Sequence, residues 1–258
     1  MPVEDPEKGE LTVDMELKGA NFALAEYRFP VDTLKAKILL ANDQLVLHSM
    51  TVRAMDGRAS ASGVLGLGES LPLKMELILR GMKMENTLRV PGRYVGVMDA
   101  DVRVVVPLDT LTETIDGTAA ESLPPDWGTG RLELSNAKLV QLPVIDRITR
   151  AIRKTSASIT GNRSPPKDRL RLEWAFKEKL FDFSEIIYVG DMVAARGKGT
   201  MDMSGEMNLS LNAGPLEKMQ SMLGPIGELW GKFSDSLSRY DVTGPVSDPK
   251  ISLKVGGH

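Results

Sequence analysis

The residues of this 258-residue chain whose types could do chemistry are few: two histidines, His48 and His258, and two close carboxylates, Asp99 and Asp101. An imidazole supplies acid–base catalysis near neutral pH, and it activates a serine where a strand-turn-helix elbow of the G-x-S-x-G type presents one. The sequence contains no such elbow. His258 is the last residue, behind Gly256-Gly257. His48 sits in an alternating stretch without His, Cys or clustered carboxylates beside it, and reads as a structural strand histidine. Asp99 and Asp101 are two residues apart and share one strand face, where like charges either bind a cation or form a solvated edge. The solvated edge is the simpler reading. "ARGKGT" (195–200) approaches a phosphate loop, but the motif's first glycine falls on Met192 and no helix follows. Asp56-Gly57 and Asp116-Gly117 read as turns. No carboxylate pair is specified for general acid–base work.

Composition narrows the classes further. The absence of Cys removes disulfides, thiolate metal sites and a cysteine nucleophile. Net charge is -3 from 32 basic and 35 acidic residues, without the concentrated basic patch of a nucleic-acid binder. Hydrophobic residues make up 42% and suffice for a core, while aromatics are only 5% and Met is frequent at 14. No segment approaches the ~18 consecutive apolar residues of a membrane-spanning helix. The opening "MPVEDPEKGELTV" is acidic and Pro-containing, unlike a signal or transit peptide. The expectation is a protein that is not an enzyme and uses no cofactor and no metal.

The elements that would position any site are strands. In "GELTVDMELKG", Leu11, Val13, Met15 and Leu17 alternate with polar residues, so one face is apolar and one polar. "QLVLHSMTVRAM" (44–55) is a less regular strand. "GRASASGVLGLGE" (57–69) aligns Ala59, Ala61, Leu65 and Leu67. "LPLKMELILRG" (71–81) aligns Leu71, Leu73, Met75, Leu77 and Leu79. "ADVRVVVPL" (100–108), "RLRLEWAF" (169–176, with Leu170, Leu172, Trp174 and Phe176) and "DPKISLKVGG" are further strands. "GTMDMSGEMNLSLNAG" (199–214) reads as a hairpin, with Met201 and Met203 on its first strand, Met207, Leu209 and Leu211 on its second, and Ser204-Gly205 as a two-residue turn. "GRLELSNAKLVQLPVIDRITRAI" (130–152) runs a strand with Leu132 and Leu134 into an amphipathic helix whose face is Val144, Ile145, Ile148 and Ile152.

Other helices are scarce. Leu216–Leu237 is a second candidate, broken at Gly224-Pro225 and Gly227, and "VDTLKAKI" (31–38) and "LDTLTETI" (108–115) are weak ones. Residues 154–168 and 117–130 read as loops. Segments 61–77 and 197–211 share a layout, either a repeat of hairpin units or an ordinary meander. Short turn-like spacings and the lack of crossover helices predict a mainly β protein with a long antiparallel sheet and one or two short amphipathic helices. Residues 1–258 read as a single β domain, with possible halves 1–125 and 126–258.

Sheet faces rich in Leu, Val and Met admit two uses. They pack together as a closed core, or they form one curved face that holds acyl chains, where unbranched thioethers adapt to an irregular ligand. The candidates for such a groove are Leu65, Leu67, Leu73, Met75, Leu77, Leu132, Leu134, Leu170, Leu172, Trp174, Met201, Met203, Leu209 and Leu211.

"GTGRLELSNAKLVQLPVIDRI" (128–148) resembles the C-terminal region of the bacterial AsmA-like proteins, in which a G-x-G-x-[L/I]-x-[L/I]-x-[N/D]-[G/A]-x-[L/I]…L-P strand runs into a short helix. Gly128, Gly130, Leu132, Leu134, Asn136, Ala137, Leu139, Leu142 and Pro143 occupy those positions. "YDVTGPVSDPKISL" is similar to the family's closing pattern through Gly244 and Pro249. The resemblance covers roughly Thr33 to the end, and the order of the motifs carries it more than any one of them. It implies a long, twisted, gutter-like sheet with an apolar concave face, and a role in envelope lipid transport or outer-membrane biogenesis. It implies phospholipid or another acyl lipid as partner, no nucleic acid, and a periplasmic setting with an inner-membrane anchor in the full protein. This chain departs from the family in carrying no anchor and in its polar 154–168 loop, and is expected to be a C-terminal fragment of a longer protein. The 144–153 helix is expected to cap or plug one end of the gutter, with Arg147, Arg150 and Arg153 turned toward acidic headgroups or simply to solvent.

Overall fold

The computed structural model describes residues 10–24, 27–42, 44–67, 72–86, 95–107, 126–139, 143–155, 168–177, 180–191, 193–215 and 238–254. The protein is mainly β. Thirteen strands stand in chain order in one antiparallel sheet, and the described residues include one α-helix. Alternating segments joined by turns give such a meander because each strand pairs with the next, and antiparallel neighbours need no crossover helix. The chain divides into two compact units, Met1–Arg131 with Phe176–Lys179, and Leu132–Ala175 with Leu180–His258.

The first unit contains β1 (Leu11–Leu24), β2 (Tyr27–Ala41), β3 (Gln44–Ala54), β4 (Gly57–Gly66), β5 (Pro72–Lys83) and β6 (Val97–Pro107). Directly paired residues share a face, so register decides what each face is made of. Met15 pairs with Ala36, Ala36 with Met50, Met50 with Ala61, Ala61 with Leu77, and Leu77 with Val102. The adjacent line runs Leu17, Leu34, Val52, Ala59, Leu79, Ala100, and on the other side lies Val13, Ile38, Leu47, Gly63, Met75, Val104. A fourth line, Leu11, Leu40, Leu45, Leu65, Leu73, Val106, completes a face with no polar side chain among its paired positions.

That face survives only because the strands are bulged. Between Leu47 and Met50 the β3 register slips by one residue against β4. A one-residue slip moves every following side chain to the opposite face, so the bulge at His48-Ser49 returns Met50 and Val52 to the apolar side. This is why the alternation of 44–55 looks irregular in the sequence. A core of Val31, Leu34, Ala36, Ala54 and Met82 forms on the same side, packed by Leu47, Met50, Val52, Met55, Leu79 and Met98.

In the second unit, β7 (Asp126–Ala137) leads to α1 (Pro143–Thr155), then β8 (Asp168–Lys177), β9 (Leu180–Val189), β10 (Val193–Asp202), β11 (Glu206–Pro215), β12 (Ser238–Pro245) and β13 (Lys250–Lys254). The first residues of β7, up to Arg131, belong to the first unit. Phe183, Gly199, Leu209, Val242 and Ile251 form one cross-strand line, and Ile186, Gly197, Leu211, Tyr240 and Leu253 the next. A Cβ at Gly197 or Gly199 would strike the backbone carbonyl of Ser210 or Asn208, so these strand glycines permit a close approach of β10 to β11. The helix begins with Pro143, whose missing N–H costs nothing at that position, and carries Asp146 in its first turn.

Several expectations require correction. "VDTLKAKI" is not helical but lies in β2. Val31, Leu34 and Ile38 have helical spacing, yet Leu34, Ala36, Ile38 and Leu40 also alternate, and pairing on both sides selects the strand. Residues 126–130 of the expected 117–130 loop open β7, where Trp127 meets Phe176 edge-on at a ring-centroid distance of 4.7 Å. Lys154 and Thr155 end α1, and Asp168 begins β8, so the 154–168 loop is narrower than expected. The turn between β3 and β4 is Met55-Asp56, at φ 52 and 58, rather than Asp56-Gly57. Two left-handed residues match the twist of a two-residue hairpin.

Met203 is in a turn, not on β10. Asp202 stops the strand: its Oδ1 accepts from Ser204 Oγ at 2.6 Å and from the Glu206 N–H at 2.9 Å, and Gly205 supplies φ 88. The candidate helices at 216–237 and 108–115, the Asp116-Gly117 turn and loop residues 156–167 lie outside the described residues.

Candidate functional site

The strongest feature of the first unit is its apolar face, which the registers make continuous and which solvent reaches at the β1 side. Leu11 is 56% exposed, Val13 43%, Met15 37%, Leu17 38% and Leu40 38%. Leucine, valine and methionine at consecutive positions of one strand face would ordinarily be covered. Leu65, Leu73, Met75 and Leu77 lie on this face and are half-buried. Leu67 follows the end of β4 and is exposed. The groove expected from the sequence includes the β4 and β5 residues but not Leu11, Val13, Met15, Leu17, Ile38 or Leu40, which share the face. The signal was available in the alternation of 11–17, and hidden in 34–40 by the competing helical spacing.

The second unit treats its apolar residues differently. Leu134, Leu209 and Leu211 are buried, Leu132, Leu170, Leu172, Trp174 and Met201 are half-buried, and Met203 is exposed in its turn. Helix α1 packs against β11 and β13, burying Ile145, Ile148 and Thr149, with Val144 half-buried. Arg147 reaches Asp248 in the β12–β13 turn, which places the helix at that end of the strands. Arg150 pairs with Asp146 one helical turn earlier. Two of the three headgroup candidates, Arg147 and Arg150, therefore already hold carboxylates. Ile152 and Arg153 lie in the helix, but their side chains lie outside the described residues.

A buried polar cluster ties β7, β8 and β9 together. Asp168, at the start of β8, is buried and accepts the Leu139 N–H at 2.8 Å. It also accepts the hydroxyl of Tyr188, on β9. Burial pushes the Tyr188 phenol well above its ordinary range, and the carboxylates of Asp168 and Asp191 push it further. The hydroxyl stays protonated and serves as a donor. On the polar face of β8–β10, Glu173 and Glu185 both serve Arg171, and Glu185 also holds Arg196 at 3.0 Å. The hydrogen bond that Arg171 donates to Glu173 is the leading cause that raises the Arg171 pKa.

His48, Asp99 and Asp101 are not assembled into one group, and His258 lies outside the described residues. His48 is exposed at the β3 bulge, beside an open depression of about 410 Å³ that also touches Glu76 and Arg103. Glu76 is occupied by Arg103, at 2.7 Å. Asp99 accepts the Gly81 N–H at 2.7 Å, and Asp101 pairs with Arg80, so the two carboxylates have separate structural partners. Among the described residues, no group of three or more His, Cys, Asp or Glu side chains could hold a metal ion. No helix among them is long and apolar enough to cross a membrane. No known protein family, no curated protein and no solved structure matches the chain.

Proposed function

We propose that the apolar face of β1–β6 holds lipid acyl chains, and that the protein acts without catalysis as a lipid-binding or lipid-conducting element of the bacterial cell envelope. The observation that supports this reading is the unbroken apolar face with its exposed rim at Leu11, Val13, Met15 and Leu17. Burying apolar surface returns roughly 25 cal/mol per Å², so a ~16-carbon chain laid on such a face gains several kcal/mol without any directional contact. The methionines at 15, 50 and 75 adapt to chains of different length and unsaturation. The resemblance to AsmA-like proteins supplies the setting: a periplasmic, gutter-like sheet in a parent protein anchored in the inner membrane, serving outer-membrane lipid homeostasis.

The second reading is a protein-interaction module with a closed apolar core. It is favoured by the second unit, where α1 covers part of the sheet and Leu209 and Leu211 are buried. Native mass spectrometry with organic extraction separates the two. The purified chain should carry phospholipid, and Val13→Asp/Met15→Asp should reduce the recovered lipid at least ~10-fold, since two charges on an apolar contact cost more than one decade of affinity. Both positions are exposed, so the variant should retain its fold. A lipid-free parent would move the assignment to the interaction module.

A further inference from the structure

The opposite, polar face of the first unit carries an arrangement that neither its fold nor the lipid reading uses. Arg53 on β3 pairs directly with Arg58 on β4, and Arg58 pairs directly with Arg80 on β5. Three arginines thus stand in one cross-strand row, on strands about 4.8 Å apart. Like charges placed directly opposite one another destabilise a sheet. The net charge of the chain is -3, so the row is a local reversal of its overall balance.

Several other arginines on the polar faces are neutralised in place: Arg103 by Glu76, Arg171 by Glu173 and Arg196 by Glu185. In this row only Arg80 is, by Asp101. Among the described residues, Arg53 and Arg58 hold no carboxylate. The nearby Glu16 is already shared between Lys18, at 3.3 Å, and Lys35, at 3.6 Å. Arg53, Arg58 and Arg80 line an open depression of about 740 Å³ together with Lys35, Thr51, Ser60 and the lysine-paired Glu16. Thr51 and Ser60 pair across β3 and β4, two residues from Arg53 and Arg58 on the same face, which sets hydroxyl donors beside the cations.

We propose that this depression binds a phosphate monoester of a soluble small molecule. Two guanidiniums without carboxylates match the charge of about -1.5 to -2 that a monoester carries at pH 7, and each can bind phosphate oxygens through two parallel N–H groups. A phosphodiester headgroup carries one charge and leaves the Arg53–Arg58 repulsion half compensated. The Thr51 and Ser60 hydroxyls supply the remaining donors. The site lies on the face opposite the proposed lipid contact and does not depend on that reading.

The test is calorimetric titration of the full chain with glycerol phosphate at low ionic strength, where exposed charges are least screened. The parent should show saturable binding. Arg53→Gln/Arg58→Gln should weaken it at least ~10-fold, and Arg239→Gln, on the polar face of β12 where its Nε reaches Ser210 at 3.0 Å, should leave it unchanged. Without ligand, Arg58→Gln should raise Tm by about 1–3 °C by relieving both like-charge contacts. Equal affinity in parent and double variant, or no saturation in the parent, overturns the proposal. Binding only to phosphatidylglycerol vesicles, without response to glycerol phosphate, also overturns it.

Discussion

Asp168→Ala should lower the stability of the second unit by about 2–4 kcal/mol, a large loss for a single polar side chain. The buried carboxylate takes the Leu139 N–H and the Tyr188 hydroxyl. Removing it leaves two donors without an acceptor in a place that water does not reach freely, and each costs roughly 1–3 kcal/mol. Asp168→Asn keeps an acceptor oxygen and should lose less. Urea unfolding followed by circular dichroism gives the total, and hydrogen exchange in β7–β9 shows where it falls. An Ala variant as stable as the parent would mean that the cluster contributes nothing.

The same cluster gives an alkaline pH dependence whose sign is fixed. In the unfolded chain a tyrosine phenol titrates near 10. In the folded protein Tyr188 titrates higher, because burial first, and then Asp168 and Asp191, disfavour the phenolate. The folded state therefore keeps a proton that the unfolded state releases. Its contribution is complete below about pH 10 and falls as pH rises beyond that, at up to ~1.4 kcal/mol per pH unit. Tyr188→Phe should remove this slope.

Ile148→Asp should cost about 3–5 kcal/mol and release α1 from the strands it covers. Ile148 is 4% exposed on the helix face that packs against β11 and β13. A carboxylate is costly to bury there and would leave the contact rather than remain in it. Met207 reports the consequence. It is buried on β11, whereas Met203 in the preceding turn is exposed. Mild peroxide should oxidise Met203 in both proteins and Met207 much faster in the variant, because access controls thioether oxidation. Unchanged protection of Met207 would show that the helix is not what shields it. Increased lipid recovery from this variant would identify α1 as a cover over a second acyl-binding face.

Much of this fold was legible because its signal has the shortest period available. Leu11–Leu17, Leu73–Leu79 and Leu170–Phe176 each alternate cleanly, and each is a strand. α1 was legible because Val144, Ile145 and Ile148 repeat at helical spacing behind Pro143. The losses have identifiable physical causes. β2 carries both periods, and only its two partners decide between them. β3 contains an extra residue at His48-Ser49 that breaks the pattern while preserving the face. Met203 alternates with Met201, but local hydrogen bonds to Asp202 end the strand first.

The candidate site was less legible than the fold. Alternation gives an apolar face to each strand but cannot say which faces stay open and which a helix covers. Leu209 and Leu77 look alike in sequence, yet one is buried and the other half-buried. The arginine row was invisible for a related reason. Arg53, Arg58 and Arg80 become neighbours only through two registers, and nothing in their local sequence marks them as a cluster.

In this sheet every strand lies beside the strand that precedes it in the chain. The loops that must close before pairing can therefore be as short as Met55-Asp56. Short closures make a β protein quicker to form than long-range pairings would. During synthesis, each strand of β2–β6 finds its partner already made, so pairing can keep pace with the ribosome instead of waiting for the C-terminus. The same order makes the sheet modular. A hairpin gained or lost at an edge leaves the remaining pairs intact, so the extent of apolar surface can change through evolution one hairpin at a time.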